Sequence, residues 1–177
     1  LGDVYKRQIE GYPNKKFMDL VNEIKPDQCT LVPDPPDVLT SNAGWDTIKN
    51  EVLLTEIITD LQGKGIRVSL FIETDNCLIE GAKKIGADRI EFYTGPYAEN
   101  YHADREAAIK AYVDSAKFAN SIDIGINAGH DLNLDNLAYF AQNIPGLLEV
   151  SIGHALISDA LYFGLEKTIE KYLAQLK

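Results

Sequence analysis

Short apolar runs rich in β-branched residues alternate with amphipathic stretches along the chain. The apolar runs predict strands at residues 8–11, 28–33, 67–73, 89–94, 123–128 and 148–152. Between them, apolar residues recur at helical spacing, as in Phe17, Leu20, Val21 and Ile24. The same spacing predicts further helices in the stretches that start near Leu54, Ala108, Leu137 and Leu165. This alternation predicts an α/β fold with parallel strands joined by right-handed crossovers.

The spacing of the strands and the polar residues inside them favour a barrel over a doubly wound sheet. Strand starts fall roughly 20 to 40 residues apart, close to the ~30 residues per unit of a (β/α)8 TIM barrel. Glu91 lies between Ile90 and Phe92, and Glu149 precedes Val150. Such carboxylates suit a barrel lumen better than a sheet covered by helices on both faces. We therefore predict an incomplete TIM barrel of about six βα units.

Composition and charge narrow the class of protein. The chain has 177 residues, of which 45% are hydrophobic, and its net charge is −10. That length suits one domain, and the acidic balance argues against a nucleic-acid partner. No apolar run reaches the ~20 residues needed to span a bilayer, so we expect a cytoplasmic protein without membrane contact. Cys29 and Cys77 are far apart and flanked by apolar residues, which predicts buried thiols.

The first eight residues, LGDVYKRQ, lack an initiator Met and any helix or strand pattern. The string DVYKRQ is also how one frame of a transposon-end adapter used in sequencing libraries would translate. We therefore expect residues 1–8 to be a non-native leader and residues 9–177 to form the partial barrel domain.

Two residues at predicted strands are candidates for acid–base chemistry. His130 follows a strand directly in the string NAGHD, at the end where barrel enzymes place their sites. The alternative is a histidine that anchors the loop. Glu91 would carry a raised pKa in a desolvated lumen, although a structural ion pair with a lumen Lys or Arg is the competing interpretation.

Four further residues are weaker candidates for a functional site. Gly153 and His154 follow the last predicted strand and open a predicted short helix over residues 155–162, where backbone N–H groups could hold a phosphate. Glu10 would end the first strand, and taken alone it is only an exposed acid near a helix start. Thr40 lies in a Pro-rich loop over residues 33–46 and could donate its hydroxyl to a phosphate or simply form a turn.

Taken together, these strings resemble the pyridoxine 5′-phosphate synthase family of the deoxyxylulose-dependent vitamin B6 pathway. The matching segments run from Ile9 to the C-terminus: IEGYP, IKPDQCTLVPDPPDVLTSNAGWD, RVSLFIE, IGADRIEFYTGPYA, INAGHDLNLDNL and EVSIGHALISDAL. The resemblance implies a (β/α)8 barrel transferase that condenses 1-deoxy-D-xylulose 5-phosphate with 3-amino-2-oxopropyl phosphate to pyridoxine 5′-phosphate, phosphate and water. It also implies a cytoplasmic homo-oligomer, usually an octamer, that uses no organic cofactor and no metal.

The resemblance also implies roles for individual residues. The family's third-strand glutamate, a proton acceptor, falls on Glu10. Its sixth-strand glutamate, which stabilises charge in the transition state, falls on Glu91, and its proton-donating histidine falls on His130. The contacts to the aminoketone phosphate fall on Asp131, Gly153 and His154, and the contact to the deoxyxylulose phosphate falls on Thr40.

The chain departs from the family pattern at its start. The family begins with two βα units that carry a second catalytic His and the phosphate-binding arginines, and this chain lacks them. We therefore expect the chain by itself to be inactive.

The alternatives to a synthase are another phosphate-binding barrel, such as an isomerase or an aldolase-type lyase, and a non-catalytic oligomerisation module. No Lys lies on the predicted strands, which disfavours a Schiff-base aldolase.

Overall fold

Parallel strands and helices alternate through a computed structural model that describes residues 6–35 and 43–177. In these ranges the elements are β1 (Gln8–Gly11), α1 (Lys15–Ile24), β2 (Gln28–Leu31), α2 (Glu51–Gln62), β3 (Arg67–Ile72), α3 (Asn76–Lys84), β4 (Arg89–Tyr93), α4 (Gly95–Asn100), α5 (Arg105–Ser121), β5 (Gly125–Gly129), α6 (Leu137–Asn143), β6 (Leu147–Ser151), α7 (His154–Phe163) and α8 (Leu165–Gln175). All six predicted strands are confirmed, with boundaries that differ by one or two residues.

The six strands form one parallel sheet in sequential order, so that each strand pairs with its neighbours in the chain. In the register of the central strands, Glu91 lies opposite Phe71 on one side and Asn127 on the other. The sheet curls until side chains of the first and last strands meet, and Gln8 Nε2 donates to Ser151 Oγ at 3.3 Å. Among the described residues, however, β1 and β6 share no backbone pairing. The fold is therefore an open, barrel-like arc.

The two faces of the sheet have different chemistry because side chains alternate along each strand. On β3, Val68, Leu70 and Ile72 are fully buried in the main hydrophobic core, which lies between the sheet and the helices. The other face, which lines the lumen, carries mostly polar residues, as the pattern of Glu91 and Glu149 predicts, and Phe71 of β3 is an apolar exception. The lumen is thus a polar layer supported by an apolar outer shell.

Ion pairs hold the lower part of the lumen together, near the N-terminal ends of the strands. Glu149 on β6 accepts from Arg89 at 2.8 Å and from Arg67 at 3.4 Å, and it also contacts Lys6. Gln28 extends this network, since Arg67 Nε donates to its side-chain oxygen at 2.7 Å. Through Lys6, which precedes β1, these contacts join the start of the sheet to its last strand, where backbone pairing does not.

The structure differs from the sequence prediction in two places. A short helix, α4, begins at Gly95-Pro96, where proline suits the first helical turn because it lacks an N–H group. The expectation of a buried Cys77 is wrong, since this thiol is exposed while Cys29 is buried. The buried side of α3 is set by Ile79 and Ala82, and Cys77 lies in the first turn away from that side.

No helix in the described part of the chain is long and apolar enough to cross a bilayer.

Candidate functional site

A cavity of about 1340 Å³ opens at the C-terminal ends of the strands. Its wall brings together five residues that the sequence singles out: Glu10, His130, Asp131, Gly153 and His154. They come from β1, from the segment after β5 and from the start of α7. Parallel strands deliver their C-terminal ends to one edge of the sheet, which is why residues far apart in sequence meet here.

Glu91 lies below this wall, in the middle of β4, and is fully buried. Thr30 on β2 donates its hydroxyl to Glu91 Oε2 at 3.3 Å, whereas Glu91 Oε1 has no hydrogen-bond partner in the described chain. The pKa of the Glu91 carboxyl is raised to about 8: burial is the largest cause, the charge of Glu10 adds to the rise, and hydrogen-bond donors on Thr30, Ser151 and Gln8 oppose it. The competing prediction of an ion pair on Glu91 is wrong, because the arginines of the lumen contact Glu149 instead.

Glu10 and Glu91 behave as an interacting pair of carboxyl groups. Glu10 faces the cavity at the end of β1, and the surrounding protein removes enough water to raise its pKa as well. Two carboxylates that share one region of low polarity resist double ionisation. At neutral pH the pair can therefore hold a proton that a reaction can use.

His130 projects from the end of β5 with an unusual backbone conformation. Its φ angle is 79°, and that of Asp131 is 57°, so that two consecutive non-glycine residues are left-handed. Each such residue costs roughly 1–2 kcal/mol, which the surrounding contacts must offset. The imidazole lies 4.5 Å from the ring centroid of Phe71 and 5.8 Å from that of Tyr93.

The His130 imidazole is partly removed from water. Its Nδ1 atom is buried and makes no hydrogen bond of ordinary geometry with the rest of the described chain. Burial lowers its pKa, which the charges of Asp131 and Asp34 partly counteract. The ring is therefore mostly neutral at pH 7 until an anion approaches it.

Two side chains that sequence reasoning missed hold the His130 segment. Thr94 follows β4 and is fully buried, and its hydroxyl donates to the Gly129 carbonyl at 2.6 Å and also contacts the His130 carbonyl. Asn136 donates from Nδ2 to the Asp131 carbonyl at 3.1 Å. The sequence places Thr94 directly after a predicted strand, but it does not indicate the hydrogen-bond partners of the hydroxyl, which are more than thirty residues away.

Gly153 and His154 form the entrance to α7, in agreement with the predicted short helix. His154 is exposed to the cavity, and α7 has no side-chain hydrogen bond that caps its N-terminus. A Cβ atom added at Gly153 would meet nothing within 4 Å, so space for a ligand exists beside the backbone. Free N–H groups at a helix start favour an anion. Thr40 lies outside the described residues, and no group of three or more metal-ligating side chains occurs within them.

Comparison with known proteins identifies the family of this chain. The family model for "Pyridoxal phosphate biosynthesis protein PdxJ" matches residues 4–177. Pyridoxine 5′-phosphate synthase of Cytophaga hutchinsonii is 59% identical over 169 residues, which cover 96% of this chain and 71% of that protein. The synthases of Flavobacterium johnsoniae and Porphyromonas gingivalis are each 57% identical and are covered to 71%.

A solved structure supports the fold alone. A chain in the crystal structure of the Amycolatopsis orientalis BexX/CysO complex superposes with a TM-score of 0.55 at 16% identity, over 90% of this chain and 59% of that one. The family match, in contrast, extends over nearly all of the residues that build the cavity. With its acid–base side chains gathered at one end of an open parallel barrel, the chain belongs to the pyridoxine 5′-phosphate synthase (PdxJ) family.

Proposed function

We propose that this chain supplies the acid–base part of a site that condenses 1-deoxy-D-xylulose 5-phosphate with 3-amino-2-oxopropyl phosphate to pyridoxine 5′-phosphate. The observation that carries the proposal is that Glu10 and His130 line one cavity while Glu91 lies fully buried below its wall, each in a different electrostatic environment. Closing the pyridine ring requires several proton transfers, and groups with different pKa values can act as acids and bases at the same pH.

In the proposed reaction, Glu10 accepts protons and Glu91 stabilises positive charge that develops on the substrate. Glu10 is open to the cavity and can reach a bound ligand, whereas Glu91 is fully buried one layer below it. The raised pKa of both groups makes a shared proton available, and binding of a cationic amine would draw that proton away.

His130 is the proposed proton donor. In the unliganded chain its lowered pKa leaves it mostly neutral, so it must first take up a proton. A phosphate dianion held nearby raises the pKa of an imidazole, because an opposite charge favours the protonated form. Substrate binding would therefore prepare His130 to donate.

Phosphate binding is proposed for the N-terminus of α7, with Gly153 and His154 holding the aminoketone phosphate beside Asp131. We propose Thr40 as a contact to the other substrate. Acidic side chains outnumber basic ones among the described lining residues: Glu10, Asp19, Glu23, Asp34 and Asp131 against Lys16 and the two histidines. Two phosphorylated substrates need more positive charge than this wall provides.

We further propose that two βα units carrying the missing basic groups complete the barrel between β6 and β1. Support comes from the relatives, of which the chain covers about 71%, and from the unpaired edges of β1 and β6. The non-native origin of residues 1–8 stays a prediction. Upstream DNA that continues the family's reading frame through codon 8 would contradict it.

The complete protein is proposed to be a cytoplasmic homo-oligomer. Large apolar side chains on α7 and α8 remain exposed, including Leu161 at 83% and Tyr162 at 84%. Apolar surface of this kind is usually covered by other parts of an assembly. Sedimentation of a complete version of the protein would measure its state.

A chimaera tests the proposed function. The part of the Cytophaga hutchinsonii synthase that this chain does not cover is joined before Ile9, and product formation from both substrates is measured. We expect the chimaera to form pyridoxine 5′-phosphate and the 177-residue chain alone to form none. Glu91→Gln and His130→Asn in the chimaera should each abolish turnover, whereas Lys15→Ala, an exposed change on α1, should not.

A folded chimaera that binds both phosphates but forms no ring would contradict the proposal. Measurable ring formation by the 177-residue chain alone would contradict the view that the site is divided.

A further inference from the structure

A buried threonine beside the cavity contacts the backbone of the segment that carries His130. Thr94 is fully buried directly after β4 and does not line the cavity. Its hydroxyl nevertheless contacts the carbonyl groups of Gly129 and His130, and its backbone N–H donates to the Gly129 carbonyl at 2.9 Å. One residue thus binds the end of the neighbouring strand through both its backbone and its side chain.

We propose that Thr94 is a positioning residue that sets the orientation of the His130 imidazole. The proposal deepens the proposed function, since it concerns the residue assigned there as proton donor. Thr94 itself does not touch the cavity and would act only through the backbone of the His130 segment.

The geometry explains why such a contact is needed. His130 and Asp131 both have positive φ angles, and without a restraint the chain would relax towards a more favourable conformation. A hydroxyl that binds the His130 carbonyl fixes the peptide plane directly after the Cα atom that carries the imidazole. The side chain is then directed into the space beside Phe71 and Tyr93.

A second restraint acts on the other end of the same segment. Asn136 donates to the Asp131 carbonyl, and its side-chain oxygen accepts from the Asn133 N–H at 2.9 Å. Thr94 therefore holds the entry to the turn and Asn136 holds its exit. Thr94 contacts the carbonyl group of His130 itself, whereas Asn136 contacts that of the next residue. Thr94 should therefore have the larger effect on the orientation of the imidazole.

The chain contains a matched control. Thr168 on α8 is also fully buried, and its hydroxyl donates to the Gly164 carbonyl at 2.9 Å. Thr168→Val removes a buried threonine hydroxyl at a place with no contact to His130. Thr94→Val makes the same chemical change at the proposed position, and Thr94→Ser keeps the hydroxyl.

Nuclear magnetic resonance of the histidine rings provides the readout, and it requires no turnover. The sequence has three histidines, of which His102 is exposed on the surface. Variants His102→Gln and His130→Gln assign the signals of the 177-residue chain. The rings of Phe71 and Tyr93 should displace the His130 ring-proton shifts from those of an unstructured histidine peptide, and burial should place its titration below the ordinary value.

We expect Thr94→Val to move the His130 ring shifts towards those of an unstructured histidine peptide and to raise its titration midpoint. Thr94→Ser should restore both, and Thr168→Val should lower the melting temperature while leaving both unchanged. The charges that act on the ring, Asp131, Asp34 and His154, are the same in every variant.

His130 signals that stay at their wild-type positions in Thr94→Val would overturn the proposal, as would Thr94→Ser failing to restore them. If Thr94→Val does not fold, Thr94→Cys replaces it, because its thiol takes the position of the hydroxyl as a weaker hydrogen-bond donor. A partial displacement is then expected, and none would overturn the proposal. These outcomes are separate from the chimaera assay, which can fail while Thr94 still controls the ring.

Discussion

Replacing the buried Glu91 carboxyl by an amide should change how stability depends on pH. The Glu91→Gln side chain keeps nearly the same shape but does not titrate. In the folded chain the pKa of Glu91 is raised from its ordinary value of 4.5 to about 8. Between these two values the folded state holds a proton that the unfolded state has released. The free energy of unfolding of the wild type therefore falls as the pH rises.

The magnitude follows from the size of the rise. Each pH unit between the two pKa values lowers the free energy of unfolding by up to about 1.4 kcal/mol. Relative to Glu91→Gln, the wild type should lose up to about 4 kcal/mol between pH 5 and pH 8. This figure is an upper limit, because water that enters the lumen would relieve part of the cost. It is still large beside the ~5–15 kcal/mol stability of ordinary domains.

Urea unfolding at pH 5, 6, 7 and 8, followed by tryptophan fluorescence, measures the effect. The chain has a single tryptophan, Trp45, which is buried and donates from its indole N–H to the Leu31 carbonyl at 2.9 Å. Taking the difference between wild type and Glu91→Gln at each pH removes most contributions of other titrating groups. A difference that stays constant over this range, or that changes with the opposite sign, would refute the reasoning.

Glu149→Gln serves as a control of opposite sign. Burial alone would raise the pKa of Glu149, but hydrogen bonds and charges from Lys6 and Arg89 lower it overall. A lowered pKa gives stability that is present above the ordinary value and is lost as the pH falls towards the folded value. The stability advantage of wild type over Glu149→Gln should therefore shrink in acid, not in base.

Further substitutions test packing, ion pairing and anion binding. Gly129→Ala places a Cβ against Glu91 Oε1 and should lower the free energy of unfolding in urea by about 1–3 kcal/mol. Gly153→Ala is the control, because its added Cβ meets nothing, and should change that free energy by less than about 0.5 kcal/mol. Equal costs would contradict the close contact. Arg89→Ala removes the 2.8 Å contact to Glu149 and should cost about 1–3 kcal/mol, while Lys15→Ala, in the exposed pair with Asp19, should cost less than about 0.5 kcal/mol. Similar small losses for both would show that the lumen network adds nothing. His154→Gln should weaken inorganic phosphate binding severalfold in calorimetry, and an unchanged affinity would remove α7 from the proposed phosphate site.

The fold was largely predictable from sequence because its signals are local. Each strand is a short apolar run, and the polar residues inside the runs already assign a face. Glu91 between Ile90 and Phe92 indicates a lumen position, which the structure confirms. The α4 helix escaped prediction because Gly95-Pro96 also suits a turn, and its buried Tyr97 depends on rings from other elements, including Phe140.

The site was predictable only in part, because its tuning depends on distant contacts. The sequence indicates Glu10 and His130 as strand-end groups, but it does not place Phe71 against the His130 ring or the Thr94 hydroxyl on its carbonyl. Nor does it decide which carboxylate the lumen arginines neutralise. That choice depends on strand register, which pairs Arg89 with Gly125 and places Glu149 within its reach.

The sequential order of the sheet has a consequence for how such a protein can change in length. Within residues 6–35 and 43–177, every backbone ladder joins strands that are consecutive in the chain, and side chains such as Gln8 and Ser151 connect β1 with β6. New strands could enter between those two edges without breaking a single existing ladder, at the cost of a few side-chain contacts. The number of added βα units would therefore set the size of the barrel, while the six existing strands would keep their present partners.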